Sequence, residues 1–271
     1  MSRDERLTRI ELINPALFDS GWTDVLIREE KTPGGVDIID GKPRKRKGRT
    51  DYLLCLPVLE GKPPLAIALL EAKAEDKLPS LGIQQAKNYK KKFNVPFIFS
   101  SNGHLFAEYA DDTGLIRDAL PFSAFPSPED LKKRYEKIIN FSLDSERAKP
   151  LLMPYKGGDA ARYYFQDAAI RAALEKMVRG ERKVLLSLAT GTGKTIIATQ
   201  LLYKLAQAGQ LKRALFLCDR DELRTQGNAK LHGIFGDNVQ IVTTQDPQRN
   251  ARILVATYQT LNITEEDKEP L

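Results

Sequence analysis

Residues 185–206 read LLSLATGTGKTIIATQLLYKLA: an apolar, strand-like run, a Gly-rich turn, and a helix of good amphipathic period opening at Lys194 and Thr195. Few folds accept that order. A strand that turns tightly into a helix is the opening of a βα unit, so this stretch calls for an α/β fold around it. Gly191 and Gly193 let successive backbone N–H groups curl around an anion, and the positive end of the new helix aims at the same place. Lys194 is placed to reach terminal phosphates, and the Thr195 hydroxyl to hold Mg2+. Thr190, Gly191, Thr192, Gly193, Lys194 and Thr195 therefore read as a phosphate-binding loop for ATP. Leu188 stands where the general G-x-x-x-x-G-K-[ST] pattern has its first glycine.

With 271 residues, the chain has length for about two domains, each with its own core. A net charge of +6 fits a polyanionic partner without specifying one. Cys55 and Cys218 stand in apolar runs with no C-x-x-C spacing, so they read as buried thiols of an intracellular protein and imply no zinc site. The charged start, MSRDERLTRIELI, has no signal-peptide core, and no apolar run is long enough to span a bilayer. The expectation is a cytoplasmic protein.

In chain order, residues 5–18 place Leu7, Ile10, Leu12 and Ile13 on one helical face until Asn14-Pro15 interrupts it. A short strand follows at 25–29. The basic run KPRKRKGR, residues 42–49, suits either a solvated loop or contacts to nucleic-acid phosphates. Residues 51–58 and 65–73 read as two nearly continuous apolar strands, 79–92 as a helix with Ser80 able to cap it, and 96–100 as a third buried strand. Asn102-Gly103 signals a hairpin into residues 104–109. A charged helix near 129–140 closes this α/β domain, and 145–154 looks like a linker. Beyond it the pattern alternates: helix 166–178, strand 183–188, loop, helix 194–208, strand 213–218, helix 220–231, strands 239–243 and 251–256. That alternation predicts a doubly wound parallel sheet.

Asp51, Glu71 and Lys73 form a second constellation. Side chains alternate along a strand, so Glu71 and Lys73 share a face, and a neighbouring strand can bring Asp51 beside Glu71. Two hard carboxylates suit Mg2+, while an ammonium within reach can orient a nucleophile or stabilise developing charge. A surface salt bridge is the plainer reading of E-x-K alone. Here the charges end very apolar strands, where an unpaired charge is costly and needs a partner or a job.

The set resembles the PD-(D/E)xK nuclease superfamily, with Thr50 where its proline would stand. Gln85 and Tyr89, four residues apart on one helical face, resemble the Q-x-x-x-Y motif found in the nuclease domains of type I restriction motor subunits. Glu5 and Arg9, then Asn14-Pro15-Ala16-Leu17 and Gly21-Trp22, resemble the start of that family, where an acidic residue on the first helix supports the site. ATGTGKT is the form the phosphate loop takes in superfamily-2 helicases, and RYYFQ, residues 162–166, resembles their adenine-recognition segment. Gln166 has one donor and one acceptor for an adenine edge, or is a polar residue near a helix start. Residues 216–226 (FLCDRDELRTQ) and 253–261 (ILVATYQTL) resemble the later helicase motifs; Arg220, Thr257 and Gln259 are candidates for DNA-backbone contacts, or for capping and loop satisfaction.

Together these motifs resemble the R (restriction and translocation) subunit of type I restriction-modification enzymes. The resemblance implies a mixed α/β PD-(D/E)xK endonuclease domain at 1–148 and part of a RecA-like helicase domain at 149–271. It implies Mg2+ and ATP as cofactors, catalysis by Asp51, Glu71, Lys73, Gln85 and Tyr89, and metal held by Asp51 and Glu71. Double-stranded DNA and the methylation (M) and specificity (S) subunits are the implied partners. No Asp-Glu-x-His or Asp-Glu-Ala-Asp sequence follows the loop, and Glu265-Glu266-Asp267 lacks a preceding apolar strand. The expectation is an N-terminal fragment that has lost ATPase activity and translocation. A stand-alone helicase-nuclease, or a non-catalytic DNA-binding and assembly module with a structural ExK, would share parts of this pattern.

Overall fold

The computed structural model describes residues 2–31, 36–39, 42–45, 50–57, 65–93, 95–110, 113–157, 164–243, 245 and 250–261. By packing, the chain divides into two units, Met1–Val184 and Leu185–Leu271. The expected boundary at 148/149 and this division differ in where they put residues 149–184.

The first unit opens with α1 (Glu5–Thr8), capped by the Asp4 carboxylate, which accepts from Leu7 N–H. A π-helical turn (Arg9–Ile13) and α2 (Asn14–Asp19) follow directly. The helix thus runs past the interruption expected at Asn14-Pro15. Pro15 sits in the first turn of α2, where its missing N–H costs little, and the turn before it widens so that Asn14 N–H bonds to Arg9 O. Ile13 and Leu17 are buried, while Ile10 and Phe18 stay exposed.

Strands β1 (Ile27–Lys31), β2 (Val36–Ile39), β3 (Lys42–Lys45), β4 (Thr50–Leu56) and β5 (Leu65–Ala72) come next. The first half of the basic run is therefore β3, paired antiparallel with β2, and not a loop. Residues 46–49 lie outside those described. A 3-10 turn (Pro79–Gly82) leads into α3 (Ile83–Phe93), and β6 (Phe97–Ser101), β7 (Leu105–Tyr109) and β8 (Ile116–Pro121) complete a sheet of order β1-β4-β5-β6-β7-β8. Ser80 lies inside the 3-10 turn, which has no side-chain cap. Within the sheet β5 and β6 are parallel, joined over one face by α3; the other pairs are antiparallel. The β6–β7 connection is the hairpin signalled by Asn102-Gly103, with Asn102 Oδ1 accepting from His104 and Leu105 N–H.

Both faces of the sheet are covered, which is why β4 and β5 read as continuous apolar runs. Under α3, Leu53, Cys55, Leu69 and Val95 pack with Tyr89, and Ile83 and Ala86 meet Ile98 and Ala107. On the other face Phe99, Phe106, Phe122 and Phe125 form a ring cluster with centroids 4.9–6.2 Å apart. Helix α4 (Pro128–Ile139) starts with a reciprocal Ser127/Asp130 capping box. The stretch expected as a linker is packed: a 3-10 turn (Glu146–Ala148) and α5 (Lys149–Leu152) bury Ala148, Leu151, Leu152 and Met153. Pro150 sits in the first turn of α5, where a proline is tolerated, and three consecutive apolar side chains draw the stretch onto the core. Helix α6 (Tyr164–Val178) also packs here, against α3 and α5, with the Arg171 guanidinium donating to Ala66 O, Tyr135 Oη and Glu175 Oε1.

The second unit has α7 (Lys194–Gln207), β9 (Ala214–Cys218), α8 (Asp221–Phe235), β10 (Val239–Ile241), β11 (Ile253–Thr257) and α9 (Tyr258–Leu261). Its strands form a parallel sheet of order β10-β11-β9 around Leu211, Leu231, Val239, Ile253 and Val255. The strand expected at 183–188 is not formed: these residues have no regular structure, and Leu185 is 91% exposed. An apolar run becomes a strand only when a neighbour completes its hydrogen-bond ladder, and among the described residues none pairs with it. Cys55 and Cys218 are buried thiols, not joined in a disulfide, as expected.

Glu75 ties the chain start to the hairpin. Its carboxylate accepts from Arg3 N–H at 3.0 Å and Arg3 Nη1 at 3.1 Å, and meets His104 Nε2 at 2.9 Å. The His104 contact first, then the Arg3 backbone, hold this carboxyl down at about 2. A depressed carboxyl stabilises the fold above its ordinary value near 4.5 and loses that effect as pH falls toward 2. Glu75→Gln is expected to lower the melting temperature at neutral pH, with the difference from wild type closing between about pH 4.5 and 2 in melts recorded across pH.

Candidate active site and phosphate loop

The register of β4 on β5 builds the site. Leu53 pairs with Leu69 and Tyr52 with Leu70, so one step further Asp51 lies opposite Glu71. Alternation puts both on the α3 side of the sheet, together with Lys73, which follows the end of β5 and extends the ladder through Lys73 N–H to Ser101 O at 2.8 Å. The Asp51 carboxylate is held twice: Oδ2 accepts from Ala72 N–H at 2.8 Å, and Oδ1 lies 3.6 Å from Arg9 Nη1. Glu71 is fully buried, with Oε2 accepting from Gln85 Nε2 at 2.9 Å. The same amide's Oε1 accepts from Lys73 Nζ at 3.4 Å, so Gln85 links Glu71 to Lys73. Lys73 Nζ also lies 3.6 Å from Glu5 Oε2. Thus Asp51, Glu71, Lys73, Gln85 and Glu5 come together from four elements. Tyr89, one helical turn beyond Gln85, packs on the apolar Leu53, Cys55, Leu69 and Val95 cluster.

Two further groups take part that sequence reasoning passed over or left without a role. Arg9 lies over the Tyr52 ring, 5.2 Å from its centroid, and its Nη2 donates to Glu29 Oε2 at 2.9 Å. Asn14 joins this network, donating to Glu29 Oε1 at 3.0 Å and accepting from the Tyr52 hydroxyl at 2.6 Å. Gly82 lies over the site: a Cβ there would stand 2.0 Å from Ser100 Oγ and 3.1 Å from Lys73 Cε. A glycine after Pro79 is a visible turn signal, but what it must clear is set by β5 and β6.

Burial first, and the adjacent Asp51 carboxylate second, push the Glu71 carboxyl up to about 8; Thr50 and Lys73 pull the other way. Glu71 Oε1 is buried with no hydrogen-bond partner. A carboxylate pair whose inner oxygen lacks a donor is a site deficient in positive charge, and it fits a divalent cation. Among the described residues no three His, Cys, Asp or Glu side chains group to hold a metal. Two carboxylates suit Mg2+, which keeps several of its waters.

In the second unit Gly191 and Gly193 have φ of +80° and +83°, a conformation that L side chains resist. The Thr192 hydroxyl donates to Ala189 O at 2.7 Å, tightening the turn, and α7 opens at Lys194. Lys194 Nζ donates to Leu188 O at 2.9 Å and Ala189 O at 3.1 Å, which folds its ammonium over the loop. Thr190 is exposed, and Thr195 half-buried at the helix start. Gln166 is buried on α6 in the first unit. Thr257 caps α9, accepting from Thr260 N–H at 3.3 Å, and Gln259 Nε2 donates to Asp219 O at 3.2 Å. Arg220 is exposed beside Asp219.

Residues 160–271 match the family model described as "Type III restriction enzyme, res subunit", which makes this part of the chain helicase-like. The whole chain is similar to the R-type subunits of restriction enzymes. It is 30% identical over 97% of its length to the type I restriction enzyme EcoAI endonuclease subunit of Escherichia coli, covering 33% of that protein. Against the EcoKI endonuclease subunit of Escherichia coli K12 the identity is 30% over 64% of the chain and 16% of the relative. A solved fragment assigned to the HsdR subunit of a type I restriction enzyme from Vibrio vulnificus YJ016 superposes with a TM-score of 0.72 at 30% identity, over 96% of this chain and 48% of that one. The chain spans a third or less of the length of these two curated relatives.

A raised carboxyl stabilises the fold below its ordinary value near 4.5 and loses that effect as pH rises through about 8. In metal-free protein, Glu71→Gln is expected to melt at nearly the wild-type temperature below pH 4.5 and above it at alkaline pH, the gap growing up to about pH 8. Parallel melting curves across that range would contradict the assigned burial of charge.

Proposed function

We propose that this chain is an R-subunit-type restriction endonuclease, whose first unit is a PD-(D/E)xK nuclease cutting double-stranded DNA with Mg2+. The observation that carries this reading is the placement of Asp51 opposite Glu71, with the Gln85 amide linking Glu71 to Lys73. Were ExK a structural ion pair, Lys73 would satisfy Glu71; instead its ammonium meets Gln85 and Glu5, and Glu71 Oε1 has no hydrogen-bond partner. A Mg2+ ion held by Asp51 and Glu71 would supply a Lewis acid for the scissile phosphate and acidify a bound water. Ala72 N–H and Arg9 fix the orientation of Asp51. Lys73 orients the attacking water or stabilises the charge that develops on phosphate. Gln85 holds Lys73 and Glu71 at a set separation, and Tyr89 anchors that turn of α3 to the core.

The second unit serves ATP. Thr190 to Gly193 would hold the phosphates with backbone N–H groups, Lys194 would neutralise them on leaving the Leu188 and Ala189 carbonyls, and Thr195 would hold the nucleotide's Mg2+. The same reading couples ATP-driven translocation along DNA to cleavage, with methylation and specificity subunits as partners in the cytoplasm.

Supercoiled plasmid with Mg2+ tests the nuclease. Wild type is expected to nick and linearise it, and Asp51→Ala and Lys73→Ala to lose on the order of 100-fold or more in rate; equal cutting by all three sinks the site. For the loop, Lys194→Ala removes one charge-assisted contact of about 1.5–3 kcal/mol, so ATP binding measured by fluorescence is expected to weaken at least about tenfold.

A further inference from the structure

We infer that Ser100 is a positioning residue of the nuclease centre, its hydroxyl holding the inner oxygen of Glu71 when the site is loaded with metal; this rests on the nuclease reading above. Ser100 lies on β6 in register with Glu71 on the parallel neighbour β5. Ile98, two residues earlier, packs under α3, so Ser100 faces the same side as Glu71. Both residues have zero exposure. Each carries a buried polar atom without a hydrogen-bond partner, Glu71 Oε1 and Ser100 Oγ.

Buried polar atoms are nearly always partnered, so two orphans on adjacent strands need a common explanation. They are complementary. A carboxylate can only accept, while a hydroxyl can donate. Neighbouring strands run about 4.8 Å apart, so one serine torsion and the flexible Glu71 side chain can close the gap. A carboxylate oxygen has two lone pairs, one for a metal and one for this hydroxyl, and ligating carboxylates are commonly held in this way. Gly82 keeps the place clear, since a Cβ there would reach both Ser100 Oγ and the Lys73 stem. Ser101 shows the structural alternative: its hydroxyl is spent locally, donating to Leu105 O at 2.7 Å and accepting from Gly103 N–H at 2.9 Å.

The test compares wild type, Ser100→Ala and Asp51→Ala in the full chain. Ca2+ binding is measured by calorimetry, plasmid cleavage is titrated with Mg2+, and melting is followed without metal. Ser100→Ala is expected to raise the Ca2+ dissociation constant and the Mg2+ half-saturation by about tenfold. Its metal-free melting temperature should stay level or rise, because an unpaired buried hydroxyl has been removed. Should the alanine variant fail to fold, Ser100→Cys, close in size and a poor donor, is expected to show the same shift. An unchanged metal titration in a folded variant overturns the inference alone. Wild-type Ca2+ binding and cleavage that match Asp51→Ala overturn the nuclease reading and this inference with it.

Discussion

The pairing of β4 with β5 governs the candidate site. Both strands are apolar along nearly their whole length and buried on both faces, so their register is set by which side chains leave water. A slip of one residue would turn Asp51 and Glu71 to opposite faces of the sheet and break the carboxylate pair. Burial of Leu53, Leu54, Leu69 and Leu70, at roughly 25 cal/mol per Å2 of apolar surface, holds the charged ends where they would not otherwise go. The cost is borne at Glu71, whose carboxyl is raised because its surroundings disfavour charge.

Other parts of the first unit are arranged around that pair. Parallel β5 and β6 require a long crossover connection, here built on α3, and α3 brings Gln85 down onto Glu71 and Lys73. Helix α1 contributes Glu5, and the π-helical turn that follows it contributes Arg9. The two carboxylates therefore differ: Asp51 has a backbone N–H and a guanidinium, whereas Glu71 has the Gln85 amide on Oε2, the adjacent Asp51 carboxylate and the weaker pull of Thr50 and Lys73, with no geometric hydrogen bond at Oε1.

Along the sequence, local signals read well where local physics decides. The hairpin at Asn102-Gly103, the helices over 164–178 and 194–207, and the strands 214–218 and 253–257 follow from turn chemistry and period. Signals that depend on a partner misled. Residues 183–188 are apolar enough for a strand but have no ladder among the described residues, and residues 145–154 carry linker chemistry yet bury Leu151 and Leu152. In the proposed site, Asp51, Glu71, Lys73 and Gln85 are candidates that residue type and spacing mark in the sequence, and the structure brings them together. The burial of Ser100 beside Glu71 has no such mark, since a serine at a strand end has no distinguishing pattern, and Arg9 stands out in the sequence only for its position in a resemblance.

By itself, then, the sequence determined the kinds of chemistry available: a glycine loop that needs positive φ at two positions, and carboxylates and a lysine spaced to share a strand face. Those properties live in a few consecutive residues and their alternation. Which strand lies beside which, and in what register, depends on summed burial across segments far apart in the chain. Only the tertiary structure could place Asp51 opposite Glu71, set Gly82 over Ser100 and Lys73, and leave one buried carboxylate oxygen without a donor.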